Sequence, residues 1–349
     1  MQTRTIRTRP RVLTRIGILG LLAGGLASAT YQALGEARDR RRFPPPGELV
    51  DIDGRRLHLW RAGEGSPAVV IATSLGEPAY GWAELQRRLA QHTTVVVYDR
   101  AGLGWSDPGP WPTGTGKRIV DDLHALLHAA RIPAPYVLVG HSAGGLHVRL
   151  HAARHPEQVA GLMLVDASHP DQSHRLRQRC GGWQLSRPAH WLRVAKRAFR
   201  PLGLARLRGS LRARYGHGAD TADPQPGLPP ELTEAAAAIG RSSRQRRAAV
   251  REMLTFSSVA AEAAQVVAGT PGSLGRLPLT VITRGTKDPP PWPACAEAIW
   301  QELQVELALL SERGTHLHAT SGDHFVHRSD PDLVARAITD LIDQVRATA

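Results

Sequence analysis

Ser142 sits in Gly140-His141-Ser142-Ala143-Gly144-Gly145, directly after the apolar run 136–139. A strand that stops on small residues and enters a helix near Leu146 must bend sharply, and a serine at the bend is thrust out with its hydroxyl exposed. Glycine is required on each flank because neighbouring backbones pass too close for a Cβ. The G-x-S-x-G spacing is that of a nucleophile elbow, so Ser142 is the candidate for covalent catalysis. A hydroxyl is a poor nucleophile at neutral pH and needs a base within hydrogen-bond reach, itself oriented by a third group. His324, in the Gly-containing loop 321–331 before the last helix, is the candidate base. His327 is its nearest competitor, and His316 and His318 lie further off on one face of the last strand.

The orienting acid should come from the end of a neighbouring strand. Asp288, five residues past Thr283, is the preferred candidate, and Asp166 in Leu164-Val165-Asp166 is the alternative; both keep the order Ser–Asp–His. Acyl transfer also develops charge on an oxygen, which preorganised backbone N–H groups stabilise. Ala143 after the nucleophile and Leu75 in the loop Thr73-Ser74-Leu75-Gly76 are the candidate oxyanion donors. His141 reads as a packing or shaping residue. The four histidines at 316, 318, 324 and 327 match no metal-ligand spacing, so neither a metal nor a cofactor is expected.

The elements around these residues alternate. Residues 49–52 and 56–60 flank Asp53-Gly54, a strong two-residue hairpin pattern. Short apolar runs at 68–72, 94–98, 136–139, 161–165 and 279–283 read as buried parallel strands. Helical stretches at about 82–91, 115–130 and 145–154 fall between them. A strand at 316–319 and a helix at 331–345 close the chain. The expected class is α/β, a mostly parallel twisted sheet with helices on both faces. The alternation breaks at 168–276, an Arg-rich segment with a helical run at 231–268. It reads as a helical lid inserted between two strands, with Trp183, Trp191, Phe199 and Phe256 available to line an apolar pocket. The core is then 43–167 and 277–349, preceded by a basic arm at 1–42.

Net charge is +13, carried by two regions. Residues 1–42 hold nine Arg against Glu36 and Asp39, and residues 170–270 have a net charge of +10, which leaves the rest of the chain mildly acidic. The Arg positions are scattered and no nucleic-acid motif accompanies them, so no nucleic-acid partner is expected. An anionic membrane surface or a solvated helical face accounts for the charge. Residues 16–34 carry no charge and as a helix span about 28 Å, close to a bilayer's hydrocarbon thickness. Five Arg precede the run and four follow it closely. It reads as a membrane anchor with the catalytic domain extracytoplasmic, or as a cleaved signal segment ending near Ala27-Ser28-Ala29, which would leave the protein secreted. Cys180 and Cys295 read as two unrelated thiols, with one disulfide open to an extracytoplasmic domain.

With these residues in hand, the chain resembles the α/β-hydrolase superfamily over 48–167 and 277–347. The likeness rests on residues 140–145, on Tyr98-Asp99-Arg100-Ala101-Gly102-Leu103-Gly104-Trp105-Ser106-Asp107, which looks like the loop after the family's fourth strand, and on residues 164–170, which look like a strand end in members with an N-terminal anchor. A serine at the elbow argues against the dehalogenases and epoxide hydrolases, which carry aspartate there. The chain departs from the family at Thr73-Ser74, where a glycine is usual. The resemblance implies a serine hydrolase, an esterase-like enzyme acting on an uncharged or lipophilic small-molecule ester through an acyl-enzyme. A catalytically silent hydrolase-fold binding protein at the cell envelope is the alternative.

Overall fold

Eight strands line up in the order β1-β2-β4-β3-β5-β6-β7-β8. The computed structural model describes residues 10–110, 114–181, 206–207, 228–266, 271–287 and 292–348. Strands β1 (Glu48–Ile52) and β2 (Arg55–Ala62) form the expected hairpin, and β2 runs antiparallel to β4 (Val95–Tyr98). From there β3 (Ala68–Ala72), β5 (Tyr136–His141), β6 (Val159–Val165), β7 (Leu279–Thr283) and β8 (Gly314–His318) are all parallel neighbours. Strands β3, β4, β5 and β7 are buried along their whole length, because helices cover both faces.

The helices are α1 (Pro10–Arg42), α2 (Ala83–Leu89), α3 (Gly116–Ala129), α4 (Gly144–Arg154), α5 (Gln172–Arg179), α6 (Pro230–Arg241), α7 (Ser243–Val266), α8 (Ala294–Ala308), α9 (Val326–Ser329) and α10 (Pro331–Arg346). Two cores result, one on each side of the sheet. Leu123, Leu126 and Leu127 of α3 and Val148 and Ala152 of α4 pack on one face with Leu138 and Leu162. Ile338, Leu341 and Ile342 of α10 and Leu85 and Leu89 of α2 pack on the other with Val69, Val97 and Val139. The helical run expected over 231–268 comprises two helices, divided at Ser242, whose ψ of 135° is extended. Helix α6 buries Leu232, Ala235 and Ile239 against Tyr80 and Trp105, and α7 buries Val259 and Ala263 against Leu146 and Leu150. Much of the expected lid, including Trp183, Trp191 and Phe199, lies outside the described residues.

Two expectations change. Residues 16–34 lie inside the longer α1, and among the described residues no helix is long and apolar enough to cross a membrane. The anchor is therefore not supported. The run is diluted with Gly, Ala, Ser, Thr and Gln, and its C-terminal side is held by polar partners. Gln32 and Glu36 are buried; Gln32 Nε2 donates to the Arg241 carbonyl at 2.8 Å, and Glu36 Oε1 accepts from the Ser243 N–H at 2.6 Å. Arg206 donates to Asp39 at 2.7 Å. The two cysteines are also not independent. Cys180, at the end of α5, and Cys295, in α8, form a disulfide, because Leu176 of α5 packs against Ile299 and Leu303 and brings their Cα atoms to 6.0 Å.

Candidate active site

The bend after β5 puts Ser142 at φ 52°, a left-handed conformation rare for a residue with a side chain. It is held by the Ser142 N–H donating to the Val165 carbonyl at 3.2 Å and by the Ser168 N–H donating to the Ser142 carbonyl at 2.8 Å. Glycine is needed at both flanks. A Cβ on Gly140 would meet the Gly144 carbonyl at 2.7 Å, and one on Gly144 would collide with the carbonyl oxygen of Ala72 on β3. The elbow is thus packed against the neighbouring strands, and the Ser142 side chain has only the open side to occupy.

On that side stands His324. Its Nε2 accepts from the Ser142 hydroxyl at 2.9 Å, and its Nδ1–H donates to Asp166 Oδ2 at 2.6 Å. The carboxylate only accepts, so the proton belongs on Nδ1 and the lone pair on Nε2 faces the serine. Asp166, at the end of β6, has φ 39° and is fully buried. Its Oδ1 accepts from Trp300 Nε1 at 2.7 Å and from the Arg284 N–H at 3.2 Å, and its Oδ2 also accepts from the Arg284 guanidinium at 2.7 Å. Burial pushes the Asp166 pKa up, but the His324 hydrogen bond and the charges of His324 and Arg284 outweigh it and bring the carboxyl to about 2. For His324 burial wins over the pull of Asp166, so the imidazole lies below its ordinary 6.5 and is neutral at neutral pH.

The acid that this geometry brings to His324 is the alternative candidate, Asp166. The carboxylate on His324 Nδ1 is that of Asp166, and Asp288 lies outside the described residues. The physical reason is reach: β6 is the direct neighbour of β5, so a residue one step past its end lies beside the elbow. His327 faces away, with Nε2 3.3 Å from Glu77 Oε1. His316 Nε2 lies 2.7 Å from the Thr283 hydroxyl, and its ring is 4.4 Å from that of His318.

Leu75 and Ala143 line one small cavity, with Ile119, Phe256 and Val259. Among the described residues, no acceptor takes the N–H of either Leu75 or Ala143. Both N–H groups are thus unengaged, and Ala143 directly follows Ser142. The Leu75 loop is tied down by Thr73, whose hydroxyl donates to the Glu77 carbonyl at 2.6 Å, and by the Ser74 N–H, which donates to Glu77 Oε2 at 3.0 Å.

Glu77 gave no signal in the sequence, yet its buried carboxylate joins three loops. Besides holding Ser74, it faces His141 Nδ1 at 3.4 Å and pairs with Arg328 of α9. His141 is next to Ser142, and its Nε2–H donates to the His324 carbonyl at 3.0 Å. His327 stacks on Trp82 at 4.1 Å and accepts from Arg328 Nε at 3.2 Å. Burial, against the pull of Glu77, lowers the His327 pKa to about 4. Among the described residues, Glu77, His141 and His327 bring ligand atoms within 4.8 Å of one another. The Arg328 guanidinium already neutralises Glu77 there, and a cation would have to displace it. Arg284 and Trp300, which brace Asp166, were also silent in the sequence; only the neighbouring β7 and α8 bring them there.

The family profile described as "alpha/beta hydrolase fold" matches residues 67–253. Over 128 residues the chain is 27% identical to the uncharacterized protein YbdG of Bacillus subtilis, a match covering 36% of this chain and 39% of that protein. The chain thus spans well under two thirds of that relative's length. Among solved structures, the enol-lactonase from Burkholderia xenovorans is similar with a TM-score of 0.57 and 22% identity, over 85% of this chain and all of that one. A putative lipase from Acinetobacter baumannii is similar with a TM-score of 0.60 and 14% identity, over 91% of this chain and 97% of that one. These structural likenesses carry the fold. With a parallel sheet in this strand order, a glycine-flanked serine bend after β5 and a family match over more than half its length, the chain belongs to the α/β-hydrolase fold family.

Proposed function

We propose that this protein is a serine hydrolase, a carboxylesterase acting on lipophilic esters through an acyl-enzyme. The observation that carries the reading is the unbroken run of hydrogen bonds from Ser142 through His324 to Asp166. Ser142 Oγ attacks the ester carbonyl carbon while its proton passes to His324 Nε2. The oxyanion of the tetrahedral intermediate is held by the N–H groups of Leu75 and Ala143. As the C–O bond breaks, His324 gives the proton to the departing alkoxide, leaving acyl-Ser142. Water then attacks the acyl group with His324 again as base, and Ser142 is restored.

Ile119, Phe256 and Val259 make the wall beside the oxyanion donors apolar, which supports a lipophilic acyl group. We read 43–167 and 277–349 as the catalytic core and 168–276 as its lid. The Cys180–Cys295 disulfide favours an oxidising compartment, and on that ground we place the catalytic domain outside the cytoplasm. The test is hydrolysis of p-nitrophenyl butyrate together with labelling by a fluorophosphonate. Labelling is expected at Ser142, and Ser142→Ala should abolish both turnover and labelling. Retained turnover in that variant removes the serine mechanism; an unlabelled and inactive wild type supports a silent binding protein.

A further inference from the structure

A second and larger cavity, of about 370 Å³, opens where α1, the loop after β4, α3 and α7 meet. It shares Gly114, Ile119 and Glu252 with the small cavity that contains Leu75 and Ala143. The two are therefore adjacent, and the smaller one is lined by Ala143, the residue next to Ser142. The larger one has a different chemistry. Its walls carry Arg40, Arg100, Arg118, Arg244, Arg247 and Arg251.

Three acids face the same space, and each is already engaged. Glu252 pairs with Arg100 at 2.6 Å and accepts from the Gly76 N–H at 2.7 Å. Asp122 pairs with Arg55, which lies outside the cavity wall. Glu36 accepts from the Ser243 N–H and from Gln32. Among the described residues, the guanidinium groups of Arg40, Arg118 and Arg247 make no ion pair or hydrogen bond. Arg244 donates to the Gly104 carbonyl at 2.7 Å, but its Nε is buried without a partner. Burial, reinforced by the nearby charge of Arg40, weakens the hold of Arg244 on its proton. Guanidinium groups gathered around one concave space repel one another and focus a positive potential into it. A multi-oxygen anion placed there would receive charge-assisted hydrogen bonds from planar donor forks that match it.

We propose that this cavity seats an anionic group of the substrate, a phosphate, joined to the ester that reacts at Ser142. The proposal rests on the serine-hydrolase reading and narrows it: the acyl group is apolar, and the charge lies beyond it, among the arginines of α3 and α7.

The test compares two soluble esters, dibutyrylglycerol phosphate and dibutyrylglycerol, which differ only in the phosphate. In the full-length chain, the phosphate-bearing ester is expected to show a kcat/KM at least about tenfold higher. That ratio should fall by about tenfold in the double variant Arg118→Gln/Arg247→Gln and recover only in part in Arg118→Lys/Arg247→Lys, which restores the charge without the planar fork. Partial misfolding lowers both rates together and leaves the ratio unmoved, so the ratio isolates the cavity. A wild-type ratio near one overturns the proposal, as does a high ratio that the glutamine variant retains. A third arm uses anionic phospholipid vesicles. If phosphate preference appears only on vesicles and survives in the glutamine variant, the arginines serve a membrane surface and the cavity proposal fails. If neither ester is cleaved, the hydrolase reading is what failed. The cavity is then judged by calorimetric binding of glycerol phosphate, which needs no catalysis. Binding that the glutamine variant loses sustains the site, and no binding to the wild type overturns it.

Discussion

Asp166 holds a left-handed backbone conformation, and this aims its carboxylate back across the end of β6 at His324. Four contacts from Trp300, Arg284 and His324 keep it ionised and fixed. Replacing it by asparagine puts an N–H2 or a weaker acceptor against Nδ1 and frees the imidazole to take the wrong tautomer. Asp166→Asn should lower kcat for p-nitrophenyl butyrate by about 10³–10⁴-fold, whereas Asp288→Asn should leave it near wild type. The reverse ranking would restore Asp288 as the orienting acid. The same residues set the pH dependence. His324 works as a base only when neutral, and burial lowers its pKa from 6.5. Activity is therefore present at neutral pH and is lost as pH falls through a value below 6.5, which the acid limb of kcat/KM measures. A limb centred above that value would mean that Asp166 outweighs burial.

At the scale of elements, three loops must agree in position: the one after β3 with Leu75, the elbow after β5, and the one after β8 with His324. Strands β3 and β5 pair directly, but β8 stands at the edge of the sheet beyond β6 and β7. Glu77 links all three regions, through Ser74, His141 and Arg328. Its carboxylate is fully buried and held ionised well below the usual range, since the charges and hydrogen bonds of His327 and His141 overcome its burial. Glu77→Gln keeps the shape and removes the charge that gathers these loops. We expect kcat to fall by about tenfold or more with KM little changed, because misplacement by a fraction of an ångström is felt in the transition state. Unchanged kcat in a folded variant would reduce Glu77 to packing. The strands were readable because buried parallel strands are short, continuous apolar runs. Helix α8 was not, since apolar Ala298 and Val305 lie outside its buried stripe of Ala296, Ile299, Trp300, Leu303 and Leu307, and Gln304 lies within it, so the pattern is blurred. The break at Ser242 had local signs, Gly240 and the pair Ser242-Ser243, but a single glycine is tolerated inside a helical pattern and does not by itself end one.

In the molecule as a whole, one covalent link closes the long stretch between β6 and α8. Cys180 and Cys295 are 115 residues apart, and they fasten the end of α5 to α8. A cross-link over so long a stretch restricts the unfolded chain strongly, by about 2–5 kcal/mol in stability. Reduction, or Cys180→Ser, should lower the denaturant midpoint correspondingly. The Cys180→Ser/Cys295→Ser variant should then be insensitive to dithiothreitol. Equal midpoints with and without reductant in the wild type would show that the link does not bear on stability.

From sequence alone, the α/β class and the hairpin start could be named, and Ser142, His324, Leu75 and Ala143 put forward as candidates. Each rests on local chemistry: apolar periodicity, glycines where a Cβ has no room, and a histidine on a loop before the last helix. Sequence preferred Asp288 to Asp166 and left the cysteines unpaired, and it neither picked out Glu77 nor gathered the arginines of α1, α3 and α7 around one cavity. Those features join residues distant in the chain, and only the lateral order of the strands and the packing of α7 over the loops decide which of them meet.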